Sequence, residues 1–312
     1  MIAVTGAGSF IGNHLLRSLL VSRDVHLRLL VHKNKNLCLP AGTNASIIQG
    51  DLLQPETLKE FTEEGCTVVN LAYISGATEK ENIAAAKHLI DACKKSGVRR
   101  LIHCSTAVVS GRVNVDSVTE DTPLNPFSQY EVAKANIEKI IIEKTASNFD
   151  VVILRPTAVF GSGGQNLMKM ANNLCKGNQM LNYIKSCLFQ RRRMNLVPVD
   201  TVVAAIIFLI NAPRKSINQE VFIISDDDDP ANNFRDIEKY LMKQLGFKDY
   251  PLPVVPIPFI ILKMLLTMMH KSSTNPRRVY ECKKIAAAGF KKPLTFQEGL
   301  SRFTDWYKHS CM

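Results

Sequence analysis

Tyr130 and Lys134 stand four residues apart in the run Tyr130-Glu131-Val132-Ala133-Lys134, and Thr106 lies upstream of them. Residues four apart on a helix share one face, about a turn from each other, so an ammonium there can draw a phenol down from its pKa of roughly 10. The phenol then becomes a usable base near neutrality. A threonine hydroxyl beside it can hold the oxygen that the phenol protonates or deprotonates. Together these residue types could move a proton on or off an alcohol, which requires something else to take or give the accompanying hydride.

A carrier for that hydride has a place at the start of the chain. Ile2-Ala3-Val4-Thr5 is a short apolar run, Gly6-Ala7-Gly8-Ser9-Phe10-Ile11-Gly12 follows, and Leu15, Leu16, Leu19 and Leu20 then recur at helical spacing. Strand, glycine-rich turn and helix make the arrangement in which backbone N–H groups and a helix N-terminus receive a pyrophosphate. A glycine turn or a Tyr/Lys pair alone is common; together they supply both halves of one redox reaction.

Elements to position these residues can be read between them. Apolar runs of strand length at 25–31, 45–49, 67–72 and 100–104 alternate with helical patterns at 79–95 and 128–145. The alternation predicts right-handed crossovers and a parallel sheet, with ligands outside the carboxyl ends of the strands. Thr106 follows the fifth strand and falls in that crevice. Ser105, by alternation, points away from it, and His103 reads as a packed strand residue. Beyond residue 160 the pattern suggests a helix near 167–174, an apolar run at 202–209 and a strand at 221–224.

The chain resembles the extended short-chain dehydrogenase/reductases, the NAD-dependent epimerase/dehydratase family of sugar-nucleotide epimerases, dehydratases and ketoreductases. The resemblance rests on the first glycine turn, Gly50-Asp51-Leu52, Val69-Asn70-Leu71-Ala72, Cys104-Ser105-Thr106 through Gly111, and Glu120-Asp121-Thr122-Pro123. It continues through the Tyr/Lys segment, Leu154-Arg155-Pro156-Thr157-Ala158-Val159-Phe160-Gly161 and Val197-Pro198-Val199-Asp200. It implies an α/β fold, a Rossmann-type doubly wound parallel sheet over 1–160, with 161–312 completing the sheet and forming a small C-terminal substrate-binding lobe.

It also implies site residues. Gly6, Gly8, Ser9, Phe10, Ile11 and Gly12 would cradle the phosphates, Asp51 and Leu52 meet the adenine, and Leu71 and Ala72 line the path of the nicotinamide ribose. Pro156 would border the nicotinamide, Lys134 bind its ribose, and Tyr130 and Thr106 act on the substrate. Asn166 and Arg193 would hold a substrate diphosphate or sugar, a role that a guanidinium suits. Two departures stand out: Ser9 replaces the middle glycine, and Ser110 replaces a tyrosine often found before the glycine matched by Gly111. The family often pairs through the Tyr/Lys helix, so a homodimer stays open.

Cofactor choice turns on the end of the second strand. Val31-His32-Lys33 carries no acid to bind a ribose 2′-hydroxyl, so the electrostatics of His32 and Lys33 favour NADP over NAD. Among the family's reactions, a 4,6-dehydratase needs an acidic pair directly after the strand-end hydroxyl, and Ala107 and Val108 stand there instead. A 4-epimerase and a 4-ketoreductase acting on a nucleotide sugar remain, with a reductase of a sterol- or flavonoid-like ketone, or a non-catalytic NADP sensor, as alternatives.

Composition sets the outer bounds. The 312 residues are 46% hydrophobic, enough for a sizeable core. The net charge of +11 is dispersed apart from Arg191-Arg192-Arg193 and small groups such as Lys291-Lys292. No nucleic-acid motif accompanies it, so an anionic small molecule is the expected partner. Eight cysteines without Cys-x-x-Cys spacing, and no leader ahead of the first strand, read as reduced thiols in a cytoplasmic protein. Asp226 to Asp229, before Pro230, read as a solvated turn, and no metal is assigned. The apolar stretch 252–269 is interrupted by Pro253, Pro256, Pro258 and Lys263, so it predicts a buried or surface helix over 259–269 rather than a membrane span. Lys271, Arg277 and Arg278 follow it, which leaves a peripheral membrane contact open.

Overall fold

The opening apolar run forms strand β1 (Ile2–Thr5), and helix α1 (Phe10–Leu19) follows the glycine turn. The chain continues through β2 (Leu27–Val31), β3 (Ala45–Gln49), β4 (Thr67–Asn70), α2 (Glu79–Ser96), β5 (Arg100–Cys104), β6 (Ser117–Val118), α3 (Gln129–Thr145) and β7 (Asp150–Pro156). Its second half holds β8 (Ala158–Phe160), α4 (Met168–Lys176), α5 (Gln179–Phe189), β9 (Leu196–Pro198), α6 (Val199–Asn211), α7 (Arg214–Ile217) and β10 (Glu220–Ile224). It closes with α8 (Phe234–Gln244), α9 (Phe259–Met268), β11 (Val279–Tyr280), α10 (Lys283–Ala287) and α11 (Phe296–Cys311). This computed structural model describes residues 1–21, 25–32, 39, 43–145, 149–269 and 273–311.

Among the described residues the main sheet has the strand order β10-β7-β5-β4-β1-β2-β3, all neighbours parallel. The chain winds one way from β1 to β3 and the other way from β4 onward, as the doubly wound reading requires. The switch point therefore lies between β1 and β4, where ligands of such sheets bind. β7 is buried at every position because helices cover both faces of the sheet, which is why it reads as a continuous apolar run rather than an alternating one. One face packs on α1 and α6 through Leu15, Leu16, Val202, Ile206 and Leu209; the other packs on α2 and α3 through Leu89, Ile90, Ile137 and Ile141. A Leu154→Ala change in this core carries a cost of about 2–5 kcal/mol.

Local signals fix the helix ends. Thr78 and Glu81 form a reciprocal capping box that starts α2, and Gly97 ends it in a left-handed conformation. The run read at 202–209 lies inside α6, and the strand read at 221–224 starts one residue earlier. A further core joins β8, β9, α4, α8 and α11 through Phe160, Leu196, Ile237, Leu241, Phe296 and Phe303.

One reading is corrected here. Asp226 and Asp227 are not solvated: they are 1% and 4% exposed, while Asp228 faces solvent. Asp227 accepts from Asn195, Asn232 and the Tyr280 backbone N–H, and Lys292 lies 2.8 Å from Asp226. Burial pushes both carboxyls up, that of Asp227 to about 6. Asp226 and Asp227 thus form a buried junction between β10 and the segments around β9 and β11. Among the described residues, no three histidine, cysteine or acidic side chains converge as metal ligands. The apolar stretch after residue 252 forms α9 on the surface, and no described helix is long and apolar enough to cross a membrane.

Candidate active site

The start of α3 is built by a second capping pair. The Glu131 carboxylate accepts from the N–H groups of Phe127 (2.7 Å) and Ser128 (3.3 Å), while Ser128 Oγ accepts from Glu131 N. This holds Tyr130 in the first helical turn. One turn later Lys134, 3% exposed, donates from Nζ to the Cys104 carbonyl at the end of β5 (3.2 Å). One turn further, Glu138 grips Arg155 of β7 through both carboxylate oxygens at 2.5–3.1 Å. Both are buried, so the pair ties α3 to the strand that ends at Pro156.

Tyr130 and Lys134 share a neighbour that the sequence did not single out. The Tyr73 ring meets the Tyr130 ring edge-on, with centroids 5.0 Å apart, and Lys134 Nζ lies 5.1 Å from the Tyr73 centroid. Tyr73 directly follows Leu71-Ala72, but an aromatic residue in a strand-end loop carries no pattern that marks it.

The electrostatics differ from the expected acidified phenol. Tyr130 is 40% exposed, yet desolvation pushes its phenol up to about 12, with Cys104 and Tyr73 adding to the rise. Burial lowers the Lys134 ammonium, and its Nζ points into the Cys104 carbonyl instead of offsetting the phenol's shift. Tyr130 is therefore a protonated phenol at neutral pH.

Thr106 caps the short turn Ala107–Ser110, its Oγ1 accepting from Val108 N at 3.4 Å, which leaves its own hydroxyl proton to donate. Ser105 is buried, and its hydroxyl has no hydrogen-bond partner among the described residues. Ser110 shares a hydrogen bond with the Tyr280 hydroxyl (3.3 Å), so a tyrosine from β11 lines the place where the usual one is missing. His103 is a strand residue of a buried network. Thr5 Oγ1 donates to Asn70 Oδ1 (2.6 Å), and Asn70 Nδ2 lies 3.0 Å from His103 Nδ1. An amide nitrogen only donates, so the network assigns the His103 proton to Nε2. Burial foremost, and the Lys134 charge next, hold this imidazole well below its ordinary pKa.

The glycine turn fits a dinucleotide. Gly6 has φ +67°, and a Cβ there would stand 2.9 Å from the backbone of Leu71 and Ala72; one at Gly12 would stand 2.3 Å from Gly6 O. Both glycines allow α1 to sit hard against the ends of β1 and β4. Ser9 is the N-cap of α1, its Oγ accepting from Gly12 N at 3.1 Å, so the serine in the middle position closes the helix without blocking the turn. Gly8 is exposed, Phe10 and Ile11 are half-buried, and the free N–H groups of this helix start are the kind that receive phosphate. Pro156 is buried at the end of β7.

At the far end of the crevice the fold brings an acid to the second strand after all. His32 Nε2 lies 3.3 Å from Asp51 Oδ2, because β2 and β3 pair in register from Leu27↔Ala45 to Val31↔Gln49. Asp51 is held by Leu53 N on its other oxygen, and Leu52 O accepts from His88. The acid that faces His32 is thus the adenine-side Asp51 at the end of β3, not a residue of the second strand; Lys33 lies outside the described residues.

With this geometry in view, residues 2–225 match the NAD dependent epimerase/dehydratase family. The chain belongs to that family. Within it, the chain is 26% identical to UDP-glucose 4-epimerase of Vibrio cholerae over 96% of this chain and 93% of that one. It is 25% identical to the decarboxylating sterol-4-alpha-carboxylate 3-dehydrogenase of Saccharomyces cerevisiae over 98% and 97%. A ketoreductase of a farnesylated dihydroquinoline N-oxide from Stigmatella aurantiaca is 31% identical, the match spanning about half of each chain. Among solved structures, dTDP-glucose 4,6-dehydratase of Bacillus anthracis in complex with NAD superposes with a TM-score of 0.75 at 19% identity, over 99% and 96% of the two chains. UDP-glucose 4-epimerase of Thermotoga maritima with UDP-glucose gives 0.74 at 18%, over 100% and 99%.

In this epimerase/dehydratase-family chain the two substrate candidates lie apart from the Tyr/Lys pair in sequence and in neighbours. Asn166, exposed just before α4, donates to Val159 O of β8 (2.6 Å). Arg193 precedes β9, and its guanidinium donates to the carbonyls of Asp229 (2.9 Å) and Pro230 (3.4 Å). Since β8 pairs with β9, the two segments are neighbours.

Proposed function

We propose that this protein is an NAD(P)-dependent oxidoreductase acting at a carbinol or keto carbon, working as a ketoreductase on a nucleotide-activated sugar. The observation that carries it is the Tyr130 phenol one helical turn from the buried Lys134 ammonium, whose Nζ reaches the end of β5 two residues before Thr106. A bound NAD(P)H supplies the hydride. Tyr130 gives its phenolic proton to the ketone oxygen, Thr106 donates a hydrogen bond to that oxygen, and Lys134 would hold the nicotinamide ribose. The ketone becomes a secondary alcohol, and the phenolate regains its proton from water. A 4-epimerase uses the same three residues, running the transfer in both directions on one carbon.

Gly6, Ser9, Gly12 and the N-terminus of α1 would hold the pyrophosphate, Asp51 and Leu52 the adenine, Leu71, Ala72 and Pro156 the nicotinamide side. His32 stands beside Asp51 near the 2′ position, so the ratio of kcat/KM for NADPH and NADH measures the choice. Asp51→Asn should move that ratio toward NADPH. Asn166 and Arg193 would take the substrate diphosphate, and Arg193→Ala should raise KM far more than it lowers kcat.

A second reading, reduction of an apolar sterol- or flavonoid-like ketone, is favoured by one observation: Arg193 already donates to two carbonyls of its own lobe. The test is NAD(P)H oxidation by the purified protein with 4-keto nucleotide sugars beside apolar ketones. Turnover of the former alone supports the nucleotide-sugar reading and turnover of the latter alone the second. Conversion of a UDP- or dTDP-hexose into its 4-epimer without net NAD(P)H oxidation returns the epimerase.

A further inference from the structure

The apolar surface of the second lobe is left uncovered in one place. α9 buries Leu262 and Leu266 and turns Ile260, Met264 and Met268 outward, at 74%, 62% and 77% exposure and one helical turn apart. The segment leading into α9 exposes Leu252 and Val255, and it runs over α5. Tyr183 donates to Pro253 O (3.0 Å) and Gln190 to Val254 O (3.1 Å). α5 in turn exposes Met180, Leu181 and Ile184.

The segments that carry this surface hold only basic charge, and the acids beside them are engaged, Asp249 with Arg235 and Asp116 with Asn275. No aspartate or glutamate occurs between Asp150 and Asp200, nor between Asp249 and Glu281, and these two stretches contain every residue of the patch. Lys185 stands on α5 and Lys263 on α9, and the Arg277 guanidinium lies 4.0 Å over the Phe259 ring at the start of α9. Ten residues of helix span about 15 Å, too short to cross a bilayer and suited to lying in its surface. A second copy of the chain would bring a cationic rim against an identical cationic rim, which costs energy in a two-fold interface. An anionic lipid surface meets both the apolar stripe and the cations.

We propose that the outward faces of α9, its lead-in segment and α5 form a docking surface for anionic membranes. The surface adjoins the wall of the candidate active site. Lys263 Nζ bonds Asn114 Oδ1 (3.3 Å), and Arg278 donates to the carbonyls of Gly111 and Val113 (2.6 Å each), in the loop that begins at Thr106. Docking would hold that loop near the lipid headgroups whichever ketone is reduced.

The test is flotation of the full chain with phosphatidylcholine vesicles with and without phosphatidylserine. Binding should appear with the anionic vesicles, weaken in high salt, and fall at least about tenfold in the triple variant Ile260→Glu/Met264→Glu/Met268→Glu. A pair on the other element, Met180→Glu/Ile184→Glu, should weaken binding with the fold intact by circular dichroism, so a misfolded triple variant does not decide the matter. Absence of binding by the wild type, equal binding by the wild type and the α5 variant, or a dimer that these substitutions dissociate without vesicle binding each overturns the assignment.

Discussion

Two helices break the usual partition of charge and apolar surface in opposite directions. α3 takes Glu131, Lys134 and Glu138 into the interior, and α9 sends Ile260, Met264 and Met268 out of it. Each buried charge on α3 has a partner supplied by another part of the chain: the Phe127 and Ser128 N–H groups, the Cys104 carbonyl, the Arg155 guanidinium. The outward α9 side chains are left exposed by the described residues. Buried charge persists only where the fold satisfies it, and here the satisfied residues follow the phenol proposed as the proton donor. Exposed aliphatic side chains in a row are the complementary signal, a surface finished by something outside the chain.

That contrast can be broken experimentally. Replacing Arg155 by Met leaves Glu138 charged and alone beneath Lys134, and should destabilise the protein by about 3–5 kcal/mol in denaturant unfolding. Adding Glu138→Leu should recover much of the loss. If the single variant is as stable as the wild type, the pair is not what anchors α3.

A smaller effect sharpens the second half of the molecule. Asp227 has its folded pKa raised to about 6 from 3.8, so the folded state binds its proton more tightly than the unfolded state does. The stability linked to this proton is fully present below the unfolded value and is lost as pH rises through about 6, a change on the order of 3 kcal/mol. Wild-type stability relative to Asp227→Asn should therefore decline between pH 4 and 6. A level difference across that window would mean that Asp227 is solvated, as its sequence context suggests.

The smallest effect belongs to α9. Ile260→Ser should change stability by no more than about 0.5 kcal/mol, whereas Leu262→Ala on the opposite face should cost about 2–5 kcal/mol. A large loss at Ile260 would show that something in the chain covers it.

Much of the site was legible because it is local. The glycine turn, the Tyr130/Lys134 spacing, the Thr106 position at a strand end and the alternation of strands and helices each lie within a few residues of chain. What was missed depends on pairings between distant segments. Asp51 meets His32 only through the β2–β3 register, Glu138 meets Arg155 only when α3 lies across β7, and Asp226 and Asp227 are buried only because Asn195, Asn232, Tyr280 and Lys292 arrive from elsewhere. The phenol's shift was misjudged for the same reason. Four-residue spacing puts Lys134 on the right face, but the direction of its amine is set by a carbonyl on β5.

In the proposed reaction Tyr130 hands its proton to the substrate within a pocket that binds the nicotinamide independently of it. Single-turnover reduction by Tyr130→Phe, alongside titration of NADPH and NADH by fluorescence, tests it most directly. The account predicts unchanged cofactor affinity with the rate of ketone reduction lowered by about 10²–10⁴. Reduction at the wild-type rate, or loss of cofactor binding in proportion to the loss of rate, would contradict it.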